Sequence, residues 1–310
     1  MRLHTVETHR THDRWNSALP PALEVESGDG VVMNCLDSSG GQMHPGATVK
    51  DFVAMDRSRI HTITGPVFIR GAKPGDVLEV EIIDIQHCGW GWTSCIAGLG
   101  TLPDRFPNPH LFIWKLDGDF STSLAPVRLP LAPFLGITGV CPPEPGEHRT
   151  RPPGSFGGNL DVRDLVPGTR LFLPVFQEGA LFSAGDGHAA QGNGEVCING
   201  IEAPMRAEFR FTVRKDMKLD EPFAELPPAR PALVPDEGHW AFIASAPQTM
   251  DAVRNVVNHA IDFLVAKTGW TPELAYTLCS VALDLRLSQV VNQPQVTVTG
   301  TLAKNLFPKA

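Results

Sequence analysis

The chain has 310 residues, 42% hydrophobic and 19% charged, the proportions of a soluble globular protein with room for one large or two medium domains. Its formal net charge is −8, and no cluster of Lys and Arg stands out, which argues against the basic stripe of a nucleic-acid binder. No apolar run reaches about 18 residues and no apolar h-region follows Met1, so neither a membrane span nor a signal peptide is expected.

The 29 glycines and 28 prolines are spread along the chain without a repeat, which implies many turns and favours a β-rich architecture. Similar glycine turns stand before apolar runs at SGDGVV (27–32), KPGDVL (73–78) and VPGTRL (166–171). LDSSGGQMHPG (36–46) carries Asp37, Gln42 and His44, and its SSGG matches only a fragment of serine–lysine amidase signatures. Val77 to Ile85 sets Leu78, Val80 and Ile82 on one face and Glu79 and Glu81 on the other, the alternation of a half-buried strand. Trp90 and Trp92 in CGWGW suit either the wall of a pocket or a hydrophobic plug. Beside them, His87, Cys88 and Cys95 form a metal fragment or buried structural thiols.

Residues 142–158 read as one long loop holding Glu144, Glu147 and His148. In FGGNLD (156–161), Asn159 and Asp161 make an Asx turn into the next strand or belong to a site. Thr169 to Val175 is apolar on both faces, with Pro174 marking an edge or a bulge. GDGHAAQGNGEVCING (185–200) then interleaves Asp186, His188 and Glu195 with glycines. Such a segment is a glycine-rich hairpin capping its own turns, or a backbone wrapped closely around a ligand or metal. Arg206 to Arg214 alternates again, with Ala207, Phe209, Phe211 and Val213 on the apolar face.

After a proline-rich seam at 226–235 the period changes. Val253, Val256, Val257, Ala260, Ile261 and Leu264 predict a helix over 250–267 ended by Gly269. Thr271-Pro272-Glu273 opens a second helix running to about Leu283. The expectation is a mainly β fold, with β-sandwich or jelly-roll-like and barrel-like elements and a small α/β portion near the C-terminus. Residues 1–225 form its β-rich catalytic domain and 226–310 a helix-containing part packed on it. The six cysteines contain no C-x-x-C pair and read as reduced thiols of a cytoplasmic protein.

GALFSAGDGHAAQGNGEVC (179–197) resembles the acetamidase/formamidase family of amide hydrolases. So do ITGPVFIRGAKPGDVLEVEI (63–82), GVCPPEPGEHRTRPPGSFGGNLD (139–161) and LCSVALDLRLSQVV (278–291), in the family's order and across most of the chain. The resemblance implies hydrolysis of small carboxamides to carboxylate and ammonia, a β-rich fold, homo-oligomers and a divalent metal in some members. Asp186, His188 and Glu195 fall in its central motif, Asn159 and Asp161 in its second, and Glu144 in the accompanying loop. The family pattern has aspartate at the position of Asn193 and small residues at Ile198, Asn199 and Gly200. These departures, with Trp90 and Trp92, assign Asn193 and Ile198 to the substrate pocket and open a larger or cyclic amide, such as a γ-lactam, as rival substrate.

Amide hydrolysis needs an activated nucleophile, a stabilised oxyanion and a proton for the leaving amine. The expected arrangement is a metal-activated water, with His188, Asp161 and Asp186 as ligands of zinc or, alternatively, calcium. Glu195 or Glu144 serves as general base and then acid, and Asn159 assists. A second route makes Cys197 a thiolate nucleophile. A third reading, of another class, is a non-catalytic metal- or ligand-binding β-sandwich protein. Whether Asp37, His44 or His148 joins the pocket stays open.

Overall fold

A computed structural model describes residues 2–228 and 237–307. Of the proline-rich seam, residues 229–235 therefore lie outside the described part. The fold is mainly β and is organised around two six-stranded sheets.

The first sheet runs Leu3–Val6, Gly30–Cys35, Met205–Arg214, Val77–His87, Arg170–Pro174, Phe223–Glu225, antiparallel except for its first pair. The alternation seen in the sequence decides its inner face. Leu78, Val80, Ile82, Phe209 and Phe211 are fully buried, while Glu79, Glu81 and Arg210 alternate with them and reach solvent. Pro174 is tolerated because the outer strand pairs only Arg170–Phe172, leaving Pro174 beyond its end.

The second sheet runs Gly157–Asn159, Phe134–Gly139, Phe182–His188, Ile63–Ile69, Thr11–His12, and Leu23–Val25 adds in parallel to Ile63–Ile69. Its Val67, Ile69, Leu135, Phe182 and Ala184 enter the same apolar core as Phe209 and Phe211, where Phe182 meets both rings within 5.5 Å. Among the described residues neither sheet closes on itself, so the barrel-like element expected from the sequence is not found. The supposed loop at 142–158 is partly strand. His148–Arg149 pairs Arg14–Trp15, and Gly157 opens the edge strand of the second sheet.

Both C-terminal helices form. Thr249–Thr268 buries Val256, Val257, Ala260, Ile261 and Leu264 and ends at Gly269, whose φ of 72° is the left-handed cap that glycine adopts without strain. Pro272–Ala282 is capped by Thr271, whose side chain accepts from Leu274 N. The strands around them, His239–Ala246, Asp284–Gln289 and Val296–Ala303, form the antiparallel sheet of the small α/β portion expected there, although the sequence did not mark the individual strands. Exposed Ile243, Leu287 and Val291 blur the apolar alternation there. Val257, Ala260, Ile261 and Leu264 pack into the main core. No helix among the described residues is long and apolar enough to cross a membrane.

Candidate active site

The strand Phe182–His188 places Asp186 and His188 two residues apart, hence on one face. Both are buried. Beyond it, Ala189 N donates to Ile201 O and Ile201 N to Ala190 O, each at 2.9 Å, so the chain leaves and returns at one point. This excursion carries Glu195 over the imidazole. The returning strand brings Glu202 opposite His188, as an isolated antiparallel bridge. Asp161 enters from the neighbouring edge, where its N–H donates to Gly136 O.

Five ionisable side chains thus converge. His188 Nε2 lies 2.9 Å from Glu202 Oε1, 3.6 Å from Asp186 Oδ1 and 3.9 Å from Glu195 Oε1. Its Nδ1 is 4.0 Å from Asp161 Oδ1. Gln191 sets the tautomer: its Nε2 donates to Asp161 O at 2.9 Å, which turns its Oε1 towards His188 Nδ1 at 2.7 Å. Nδ1 therefore carries a proton, and Nε2 faces the carboxylates.

The electrostatics follow from burial and from the crowding of like charges. Burial raises Asp161 and Glu202 to about 7, and raises Glu195 well above the usual carboxylate range. Burial opposes ionisation of Asp186 too, but His61 and His188 beside it outweigh that and hold it low. Burial opposes a charge on His188, but Glu202 and Asp186 outweigh it and push the imidazole well above its usual range, the same pull that would favour a cation at Nε2. Burial depresses His61, with a smaller opposing effect from Asp186.

The backbone is equally unusual. Asp161, Asp186 and Glu195 have φ of 49°, 56° and 45°, and Ile198 has 91°. A positive φ is tolerated by aspartate but is an outlier for a β-branched residue, and such residues concentrate at functional sites. Gly136 sits beneath the group. A Cβ there would lie 2.5 Å from Asp161 Oδ1 and 2.9 Å from Asp186 Oδ2, so only glycine leaves the two carboxylates their places.

These residues fit a divalent cation. Donor atoms of Asp161, Asp186 and His188 lie within 4.8 Å of one another, as do those of His188, Glu195 and Glu202. Asp161 Oδ1, Asp186 Oδ1 and Glu202 Oε2 are buried without a hydrogen-bond partner, which is costly for oxygens with nothing to bind. One imidazole among carboxylates suits zinc and related ions.

The group opens into a cleft of about 510 Å³ lined by Asn159, Asp161, Asp186, Glu195, Glu202, His61, Trp92 and Ile198. A second groove, of about 430 Å³ between Leu160 and Phe223, is apolar and away from the ionisable group.

Of the residues singled out in the sequence, His188, Asp161, Asp186, Glu195 and Asn159 come together, with Trp92 and Ile198 on the walls. Others do not. Glu144 is exposed in its loop, where its carbonyl faces His148 Nε2, and does not line the cleft. Asn193 is exposed and tied through its backbone to Asp284 and Leu285. Trp90 packs with Met43, Phe52 and Met55 without reaching the cleft. Cys197 is buried, with Sγ against Ser94 O at 3.4 Å, and is not exposed to a substrate there. Asp37 is occupied by Ser39, Gly41 and Trp92, and His44 is exposed. All six cysteines are free, and among the described residues His87, Cys88 and Cys95 form no ligating group. Glu202 and His61 were missed. Glu202 is a lone ionisable residue among apolar neighbours (GIEAP), and a charge in such company is the available signal, whereas His61 follows Arg57 and Arg59 in RSRIHT and carries no such signal.

Carboxylates and an imidazole thus meet in a cleft that a small molecule can enter, with Asp186 and His188 on one strand and Asp161 and Glu195 on adjoining loops. The comparisons specify it. The model of the Acetamidase/Formamidase family matches residues 2–145 and 145–309, so the chain belongs to that family and is a hydrolase of carbon–nitrogen bonds other than peptide bonds. It is 26% identical to a formamidase of Methylophilus methylotrophus, covering 96% of this chain and 89% of the relative. It is 29% identical to an acetamidase of Mycolicibacterium smegmatis, covering 86% and 84%. A gamma lactamase from Delftia acidovorans superposes with a TM-score of 0.90 at 25% identity, covering 99% and 95%. An acetamidase from Bacillus halodurans superposes at 0.69 with 32% identity, covering 98% and 97%.

Proposed function

We propose that the chain hydrolyses small carboxamides to carboxylate and ammonia with a divalent metal, zinc before calcium, held by His188, Asp161 and Asp186. Glu202 is a fourth donor. The observation that supports this most is the unpartnered, buried oxygens of Asp161, Asp186 and Glu202 around one imidazole. A bound divalent cation supplies Lewis acidity and brings the pKa of water down towards about 7.

The chain's own groups do the rest. Gln191 keeps the His188 proton on Nδ1, so that Nε2 faces the reacting centre. Glu195, whose affinity for a proton is raised by burial and by the neighbouring Asp161, acts from its ionised form: it takes a proton from water at its carboxylate and returns it to the amide nitrogen as the C–N bond breaks. Asn159, whose buried Oδ1 lacks a partner, orients the amide N–H₂ from the cleft wall. Ile198 and Trp92 exclude water beside it. Prolonged chelation is expected to lower ammonia release at least about 100-fold, with recovery on adding zinc back. Full activity in metal-free protein would remove the metal from the reading.

A γ-lactam is the second substrate reading, favoured by the TM-score of 0.90 to the gamma lactamase. Parallel assays of acetamide, formamide and γ-butyrolactam rank them. Cys197→Ala is expected to keep activity within about twofold and to cost on the order of 1 kcal/mol of stability through a small cavity. A 100-fold loss in folded protein would reinstate the thiolate. The free cysteines support a reducing, cytoplasmic setting. The shared core of the two sheets supports a β-sandwich-like arrangement, and homo-oligomeric assembly is tested by light scattering.

A further inference from the structure

The mouth of the cleft carries a charge pattern opposite to its floor. Arg14, Arg57, Arg149 and Arg151 all line it. They come from three separate parts of a chain whose net charge is −8. None of the four has a carboxylate within 4.0 Å among the described residues, whereas Arg105, Arg163, Arg170 and Arg214 each hold one. Arg14 donates instead to the carbonyls of Asp13 and Ser58, and Arg57 lies 5.2 Å from the Phe52 ring.

The backbone enforces this concentration. Arg149 stands directly opposite Arg14 in a two-stranded ladder, a like-charge pairing that is destabilising by itself. Thr150 between Arg149 and Arg151 is buried and clamped to His61, accepting from its N–H and donating to its carbonyl at 3.0 Å each. That clamp fixes where both arginines emerge. Four guanidinium groups without a carboxylate partner at the entrance of a cleft are suited to carboxylate recognition. The volume agrees, because about 510 Å³ is in the range that takes ligands far larger than formamide or acetamide.

We propose that the substrate is a carboxylate-bearing amide, the monoamide of a small dicarboxylic acid, whose free carboxylate is held by Arg149 and Arg151 while its amide reaches the floor. This rests on the amide-hydrolase reading. For succinamate the reaction is succinamate plus water to succinate plus ammonium. The carbonyl C–N bond breaks, a C–O bond forms, and the departing nitrogen takes the protons.

The test measures ammonia release by the full chain from succinamate and from butanamide, which differ by carboxylate against methyl. Succinamate is expected to have the higher kcat/KM by at least roughly tenfold, and to lose that advantage as salt is raised. Arg149→Gln and Arg151→Gln, checked for unchanged melting temperature and oligomeric state, are expected to reduce the succinamate-to-butanamide ratio roughly tenfold through KM. An unchanged ratio, whether because both rates fall together or because only assembly changes, overturns the proposal. It would show that these arginines offset the acidic floor or pair with a partner copy. Equal turnover of the two substrates by the unmodified protein overturns it as well and leaves amide hydrolysis standing. No ammonia from either substrate, nor from formamide, acetamide or γ-butyrolactam, overturns the underlying reading instead.

Discussion

Asp186→Asn is expected to lower kcat/KM for ammonia release by about 1,000-fold, with the fold retained. The substitution keeps size and shape and removes one negative charge from a buried position in the site. That charge is held ionised by His61 and His188 against the effect of burial. Removing one partner of a buried, paired charge costs about 3–5 kcal/mol, since the charge left behind is uncompensated. That cost falls on stability; on the rate, losing one preorganised electrostatic group at the reacting centre costs about 10²–10³-fold, and the loss of a metal donor adds to it. The measurements are the rate of ammonia release and the metal content per chain, and both should fall. A rate within a few-fold of the unmodified protein would mean that Asp186 only buttresses the strand. Glu202→Gln is the matching control. Glu202 approaches His188 at 2.9 Å but is pushed by burial towards its neutral form, so losing its charge should cost less than losing that of Asp186.

The contrast between these two carboxylates shows what was legible in the sequence. GDGHAAQGNGE advertises a site because polar residues spaced by glycines need close backbone approach, and Asp186, His188 and Glu195 were found that way. Glu202 carries no such mark. It reaches His188 only because the chain returns at Ala189 and Ile201, a long-range pairing with no local signature. Glu144 and Asn193 show the converse: they lie in the expected segments, but a segment's place does not say which way a side chain turns. The central strands were readable because Leu78, Val80 and Ile82, like Phe209 and Phe211, alternate cleanly with charge. The C-terminal strands were not, because Ile243 and Leu287 are apolar yet exposed. The arginines at the cleft mouth are the extreme case, since no run of basic residues exists and only the fold assembles them.

Gly136→Ala is expected to reduce activity about 100-fold while leaving the melting temperature close to that of the unmodified chain, although alanine is the smallest possible addition. Gly136 lies on the strand Phe134–Gly139, between the segments that carry Asp161 and Asp186. Its φ is not among the positive values, so alanine meets no backbone strain there, and any effect must come from the methyl group itself. That methyl would stand 2.5 Å from Asp161 Oδ1, 2.9 Å from Asp186 Oδ2 and 3.1 Å from Asp186 O. Separations this short cannot persist, and the sheet backbone is held by its ladder, so the side chains are what give way. Asp161, half-buried at the cleft wall, moves more easily than Asp186, which is buried on all sides. A displacement of about 1 Å in a group that positions the reaction is enough for a loss near 100-fold. Metal affinity is expected to fall with the rate, and excess zinc should restore part of it. Such rescue would place the fault in the donor geometry. If instead the variant unfolds at markedly lower temperature and zinc restores nothing, Gly136 serves the packing of the sheet and not the spacing of the two carboxylates.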